Sequence, residues 1–204
     1  ADQPLELTRT RTTEIGLKQS LPRQRGAWTV ALYDIERGNV YAAQGGRALA
    51  LAGAMQSRGA EFGVSLDPAP NWRVWGNLAL NRTRYEGYDF AGGSFSGNTP
   101  PNAPPVVANA GASYRFAAGV PFEVGGMLRH VGERQHSDAN TVRLAAYTVA
   151  DASIAADVMP RTRVMLRVRN LADRRYAIWS DPFYPDQILL GAPRSVELSL
   201  RHEF

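Results

Sequence analysis

The chain has 204 residues, a formal charge of +4 and no cysteine, which rules out a disulfide framework, thiolate metal sites and cysteine nucleophiles. Its basic side is almost all arginine, with Lys18 the single lysine, and the arginines are scattered rather than gathered into a nucleic-acid-binding stripe. No apolar run reaches the roughly 20 residues of a membrane helix, and the first ten residues lack a signal-peptide pattern. A membrane barrel would escape both tests, because only every second residue of its strands faces lipid.

In chain order, period-2 alternation predicts about nine strands near barrel-strand length. They centre on Thr12–Leu21, Gly26–Ile35, Gln56–Leu66, Trp72–Tyr85, Val106–Phe116, Phe122–Glu133, Leu144–Val158, Arg163–Asn170 and Arg194–Phe204. Short connections follow Leu21 and occupy Asp67–Asn71, Ala117–Val120 and Met159–Thr162. Long ones alternate with them, at Glu36–Ala48, Gly87–Pro105, Arg134–Val142 and Ala172–Gly191. Short turns at one end and long loops at the other suit an outer-membrane meander better than a soluble sandwich.

The faces agree. Ala110, Ala112, Tyr114 and Phe116 alternate with Asn109, Ser113 and Arg115, while Val164, Leu166 and Val168 oppose Arg163, Arg167 and Arg169. A half-buried soluble sheet would alternate in the same way. The aromatic residues separate the two cases. Trp28, Trp72 and Phe122 each open a strand after a short turn, Phe116 closes one, and Phe204 ends the last. All five fall on the apolar face at the short-turn rim, where Trp and Phe rings favour a membrane interface. The alternative is a soluble barrel with aromatic ends to its core.

Two segments carry a family resemblance. "RVRNLADRRYAI" and "GAPRSVELSLRHEF" resemble the carboxy-terminal signature of TonB-dependent outer-membrane receptors. The matching positions are Asn170, Leu171, Asp173 and Tyr176, then Gly191, Pro193, Arg194 and Phe204. "QSRGAEFGVSL" (Gln56–Leu66) resembles the family's Arg-Gly-x-Glu strand. The resemblance covers essentially residues 1–204 and is most like the ferric-siderophore branch. It implies an all-β, antiparallel up-and-down transmembrane meander, part of a barrel of about 22 strands. It also implies an amino-terminal plug with a TonB box, and the chain contains neither. The expectation is a carboxy-terminal barrel portion, with the plug and first strands absent. Phe204 would then belong to the signal that outer-membrane assembly machinery reads from the last strand.

Candidate chemistry is sparse. "GGSFSG" (Gly92–Gly97) is not a nucleophile elbow, since it lacks the Gly-x-Ser-x-Gly spacing and a following helix. His136–Asp138 reads as polar residues of a solvent-exposed loop. No enzyme is expected. Ligand contact is expected in the loops, from Tyr85, Tyr88, Phe90, Phe95, Arg134, His136, Tyr176, Trp179, Phe183 and Tyr184. Such rings and arginines could hold an anionic ferric chelate; the competing reading has them packing the loops against each other. The inward row Arg129, Arg163, Arg167 and Arg169 would guide an anion. Alternatively it would pair with a plug, or with Glu14, Glu123 and Asp151.

The leading expectation is TonB-energised uptake of an iron–siderophore complex at the bacterial outer membrane. No cofactor is expected, ferric iron arriving already chelated, and the implied partners are the TonB complex, the assembly machinery, lipid and the siderophore. A passive porin-like or adhesin barrel, a soluble β module, or a receptor for haem, cobalamin or a sugar remain as alternatives.

Overall fold

The computed structural model describes residues 6–22, 25–44, 48–90, 93–181 and 187–204. The strands follow as β1 (Arg9–Ser20), β2 (Gly26–Gln44), β3 (Ala48–Leu66), β4 (Trp72–Glu86), β5 (Asp89–Phe90), β6 (Gly93–Ser94), β7 (Val106–Ala118) and β8 (Val120–Val131). They continue as β9 (Arg134–Gln135), β10 (Arg143–Leu144), β11 (Tyr147–Met159), β12 (Thr162–Arg169), β13 (Ala177–Ser180), β14 (Ile188–Leu190) and β15 (Ser195–His202). Nine form a single antiparallel sheet in the order β1-β2-β3-β4-β7-β8-β11-β12-β15. This is the expected nine-stranded meander. The other six make three small hairpins inside the long connections.

Register turns the sequence alternation into two surfaces. Tyr114, Val124, Ile154, Leu166 and Leu198 stand opposite one another across β7, β8, β11, β12 and β15, giving one continuous apolar row. One residue along, Arg115 faces Glu123, and three along, Asp157 faces Arg163, both on the opposite side of the sheet. Because side chains alternate strictly, a one-residue slip would exchange these faces. The turns that hold the register are tight. Gly119 alone separates β7 from β8, at φ 79°, and Arg161 turns β11 into β12 at φ 62°.

Two expected boundaries were wrong. Glu36–Ala48 is not a loop for most of its length: β2 runs on to Gln44 and β3 starts at Ala48. Backbone pairing continues there from Val40–Gly53 to Gln44–Ala48, and irregularities at Arg37/Val40 and Val40/Tyr41 absorb the mismatch beside Asn39 at φ 54°. Leu144 does not open the seventh wall strand. It pairs with Arg134 in a hairpin, and β11 begins at Tyr147.

A one-layer wall has no second layer to bury its faces against, and every residue of β1 is exposed. The core lies elsewhere. Tyr85, Tyr88, Val131, Leu144 and Tyr147 are buried at the long-loop end of the sheet, where the loops fold onto one another.

Candidate functional site

The long loops are tied together by side chains. The Asn102 amide donates to the Ser180 carbonyl (2.8 Å) and accepts the Ser180 N–H (2.9 Å). Asn140 repeats the arrangement with Thr99, donating at 2.7 Å and accepting at 2.9 Å. Arg134, only 5% exposed, donates to the carbonyls of Ala177 (2.6 Å) and Ile178 (2.9 Å) and lies over the Tyr147 ring. Tyr85 stacks on Tyr88 with centroids 3.9 Å apart and donates its hydroxyl to Asp138 at 2.7 Å. Phe95 packs beside them. Burial, and then the nearby Asp138 carboxylate, push the Tyr88 hydroxyl above its ordinary pKa, so it stays protonated.

These contacts sort the loop residues named from sequence. Tyr85, Tyr88 and Arg134 are buried in loop packing. His136, expected in a solvent-exposed loop, is also buried, its backbone carbonyl accepting from the Ser180 hydroxyl at 3.2 Å. Tyr176 rests against Tyr147, with centroids 4.4 Å apart. Trp179 remains 43% exposed. The Phe90 side chain, Phe183 and Tyr184 lie outside the described residues. Sequence reasoning missed the asparagines, for which the sequence shows only the residue type; in the structure Asn102 has φ 58° and Asn140 φ 55°, a left-handed region that Asn tolerates. No group of three or more acidic or histidine residues that could hold a metal occurs among the described residues.

The signature motif has a mechanical role. Asn170 is almost fully buried; its side chain donates to the carbonyls of Arg174 (2.9 Å) and Ala192 (3.1 Å) and accepts the Arg174 N–H (2.9 Å). The Asp173 carboxylate accepts the Arg194 N–H at 2.8 Å. The Tyr176 ring covers Gly191 so closely that a Cβ there would collide with it. The motif is therefore a buckle, closing the last loop and delivering the chain into β15.

On the inner face, Arg163 pairs with Glu123 (2.9 Å) and Asp157 (3.1 Å), and Arg169 with Glu197 (2.9 Å). Of the three acids expected from sequence, only Glu123 is a partner. Asp151 instead accepts the Asn170 N–H, and Glu14 sits on β1 at the far edge of the sheet. Register chose Asp157 and Glu197, which stand opposite Arg163 and Arg167. Arg129 and Arg167 line an open recess of about 530 Å³ with Arg73, Trp75 and Asp151. Tyr33 reaches from β2 to Asn81 on β4 (3.2 Å) over Gly59, where a Cβ would block it. The Arg-Gly-x-Glu segment needs its glycine for that crossing.

The aromatic rim is continuous through its middle. Trp72 meets Tyr114 (4.9 Å between centroids), Tyr114 stacks near Phe116 (6.0 Å), and Phe116 stacks on Phe122 (5.4 Å). Trp28 shares this face, opposite Val64. Phe204 lies beyond the ladder, edge-on to His202 at 4.8 Å.

A family model described as "TonB dependent receptor-like, beta-barrel" matches residues 1–171. The chain is 30% identical to the ferrioxamine receptor of Yersinia enterocolitica, over 94% of this chain and 27% of that protein. It is 28% identical to the ferrichrome outer membrane transporter/phage receptor of Escherichia coli, over 80% of this chain and 22% of that protein. It thus spans about a quarter of each relative's length. The ferric yersiniabactin uptake receptor of Yersinia pestis superposes on 97% of the chain, using 30% of its own length, with a TM-score of 0.85 at 19% identity. The chain belongs to the TonB-dependent receptor β-barrel family, and its nine-stranded sheet is a stretch of outer-membrane barrel wall.

Proposed function

We propose that this chain is the carboxy-terminal barrel portion of an outer-membrane receptor that takes up an iron–siderophore complex with energy delivered through TonB. Family membership and relatives named for ferrioxamine and ferrichrome support that substrate class. The observation that carries the reading is the division of labour across the sheet. A rigid roof of tied loops, with Trp179 exposed on it, stands over an inner face lined by Arg73, Arg129 and Arg167. An anionic chelate meets an aromatic ring outside and, inside, Arg129 and Arg167, which form no ion pair among the described residues, beside Arg73, which pairs with Asp67 at 3.3 Å. The chain supplies binding and passage, with no catalytic step. No cofactor is required, and ferric iron travels as cargo within its chelator. The inner arginines also suit the acidic face of a plug, through which TonB would act, and the terminal strand suits recognition by assembly machinery.

The test is uptake of radiolabelled ferric siderophore by iron-starved cells producing the full-length receptor, with and without TonB. Uptake that needs both the receptor and TonB, and weakens when Arg129 and Arg167 are replaced by Gln, is the expected result. Passage without TonB would assign a passive pore instead.

A further inference from the structure

We infer that the loop roof binds a single-atom inorganic anion, a halide, between the guanidinium of Arg134 and the imidazole of His136. The inference rests on the packing of the loops, and not on what the receptor transports.

Charge comes first. Arg134 is buried, and a buried cation is costly unless something neutralises it. Among the described residues it forms no ion pair. Its contacts are the carbonyl oxygens of Ala177 and Ile178 and the face of the Tyr147 ring. Each of these offers only partial negative charge. The carboxylates nearest in the chain are engaged elsewhere, Glu133 with Arg143 at 2.9 Å and Asp138 with the Tyr85 hydroxyl at 2.7 Å. The guanidinium therefore lacks a counter-ion.

Donors come second. The two Nη atoms of Arg134 serve the carbonyls, but its buried Nε–H has no acceptor. The Nδ1 of His136 is also buried without a partner, in a residue 6% exposed. Arg134 and His136 lie two apart on an extended run, so they share one face of the β9–β10 hairpin. Gln135 falls on the other face, opposite Arg143. The His136 N–H donates to the Val142 carbonyl at 3.0 Å, which carries the hairpin pairing one residue further. The shared face meets β13: Arg134 reaches Ala177 and Ile178, and the His136 carbonyl accepts from the Ser180 hydroxyl. Two orphan nitrogens thus belong to one seam. Orphan buried nitrogens are rare, and a bound water or ion is a common reason for them.

The choice between water and ion comes third. A water could accept from both nitrogens, but it would leave the charge and add two protons of its own. The carbonyls of Ala177, Ile178 and His136 in the seam already accept hydrogen bonds. A halide accepts from Nε–H and Nδ1–H, donates nothing and neutralises Arg134. Ser180 closes the seam and is wholly buried, which leaves no room for a carboxylate or a phosphate. Ile178 and Ser180 flank Trp179, so the bound anion braces the backbone that presents that ring.

The test uses the full-length receptor in detergent, with sodium chloride exchanged for sodium gluconate at constant ionic strength. Chloride at about ten times its dissociation constant should slow hydrogen exchange at residues 177–180 roughly tenfold, with β8 unchanged. His136→Phe keeps a buried ring and removes the donor, and it should abolish the chloride effect. A second measurement needs no variant: crystals of wild type soaked in bromide should show an anomalous peak in contact with Arg134 Nε and His136 Nδ1. Chloride-independent exchange with no bromide peak would assign the nitrogens to a water and overturn the site. Equal slowing by sulfate would mean a general salt effect and overturn the halide, as would a peak that appears only at molar bromide. Siderophore uptake is a separate readout, so failure here leaves the transport reading standing.

Discussion

The side-chain amide of Asn102 and the backbone of Ser180, 78 residues apart, hold each other by two hydrogen bonds in opposite directions. The amide imitates one step of a β-ladder between loops that no strand connects. Ser180 is wholly buried, so no water replaces either bond. Asn102→Ala should therefore destabilise the loop roof by about 1–3 kcal/mol, because a buried donor and acceptor lose their partner. Hydrogen exchange should accelerate at residues 99–105 and 177–180 while wall amides stay protected. Unchanged exchange in the loops would mean that other contacts hold them.

Gly191→Ala should disturb the buckle through its contact with the Tyr176 ring. Overpacking of this kind costs about 1–3 kcal/mol. Adding Tyr176→Ala should recover part of the lost thermal stability, since the obstruction is then gone. Strict additivity of the two substitutions would show that the ring is not what Gly191 accommodates.

Trp179→Ala should weaken binding of the cognate chelate by about thirtyfold, the roughly 2 kcal/mol of an interface hot spot, with no change in receptor yield. Tyr85→Ala and Tyr88→Ala should act differently. Both rings are buried against each other, so their loss should loosen the loops and raise protease sensitivity near Asp138. If Trp179→Ala left affinity at the wild-type value, that ring would join the packing residues.

Removing Phe204 should lower the amount of receptor reaching the outer membrane without affecting its synthesis. The ring extends past the last paired residue, His202, and is fully exposed. Burying such a ring at an interface is worth about 1.5–3 kcal/mol, too little to decide the stability of a large barrel. A fall in membrane level therefore reports on assembly. Normal levels of heat-modifiable receptor would contradict that role.

Expressed by itself, the 204-residue chain should aggregate or pair with other chains. Among the described residues, β1 and β15 each have one paired edge and one open edge. Unpaired backbone groups cost several kcal/mol each in lipid, so an open sheet is unstable in a bilayer. A monodisperse, heat-modifiable monomer with discrete conductance steps after refolding in detergent would show that the sheet closes on itself.

The sequence by itself determined the wall. Alternation along Asn109–Phe116 or Arg163–Asn170 is a local property, and in a membrane strand it assigns each side chain to lipid or lumen before any partner is known. The aromatic positions at short turns, the nine strands and the sorting of the loops follow from the same local signals. What lay beyond it were the relationships between distant segments. The extension of β2 and β3 depended on each strand finding the other, and Arg163 took Asp157 rather than Asp151 because of register. The loops were furthest from view. Arg134 and His136 lie in a long connection and Tyr85 near the end of β4 where the next one begins, all polar or amphipathic, which reads as exposure. They are buried because Asn102, Asn140 and Asp138 bind backbone or hydroxyl groups 41 to 78 residues away. Only tertiary structure brings those groups within hydrogen-bond distance, and only then can burying them be stable.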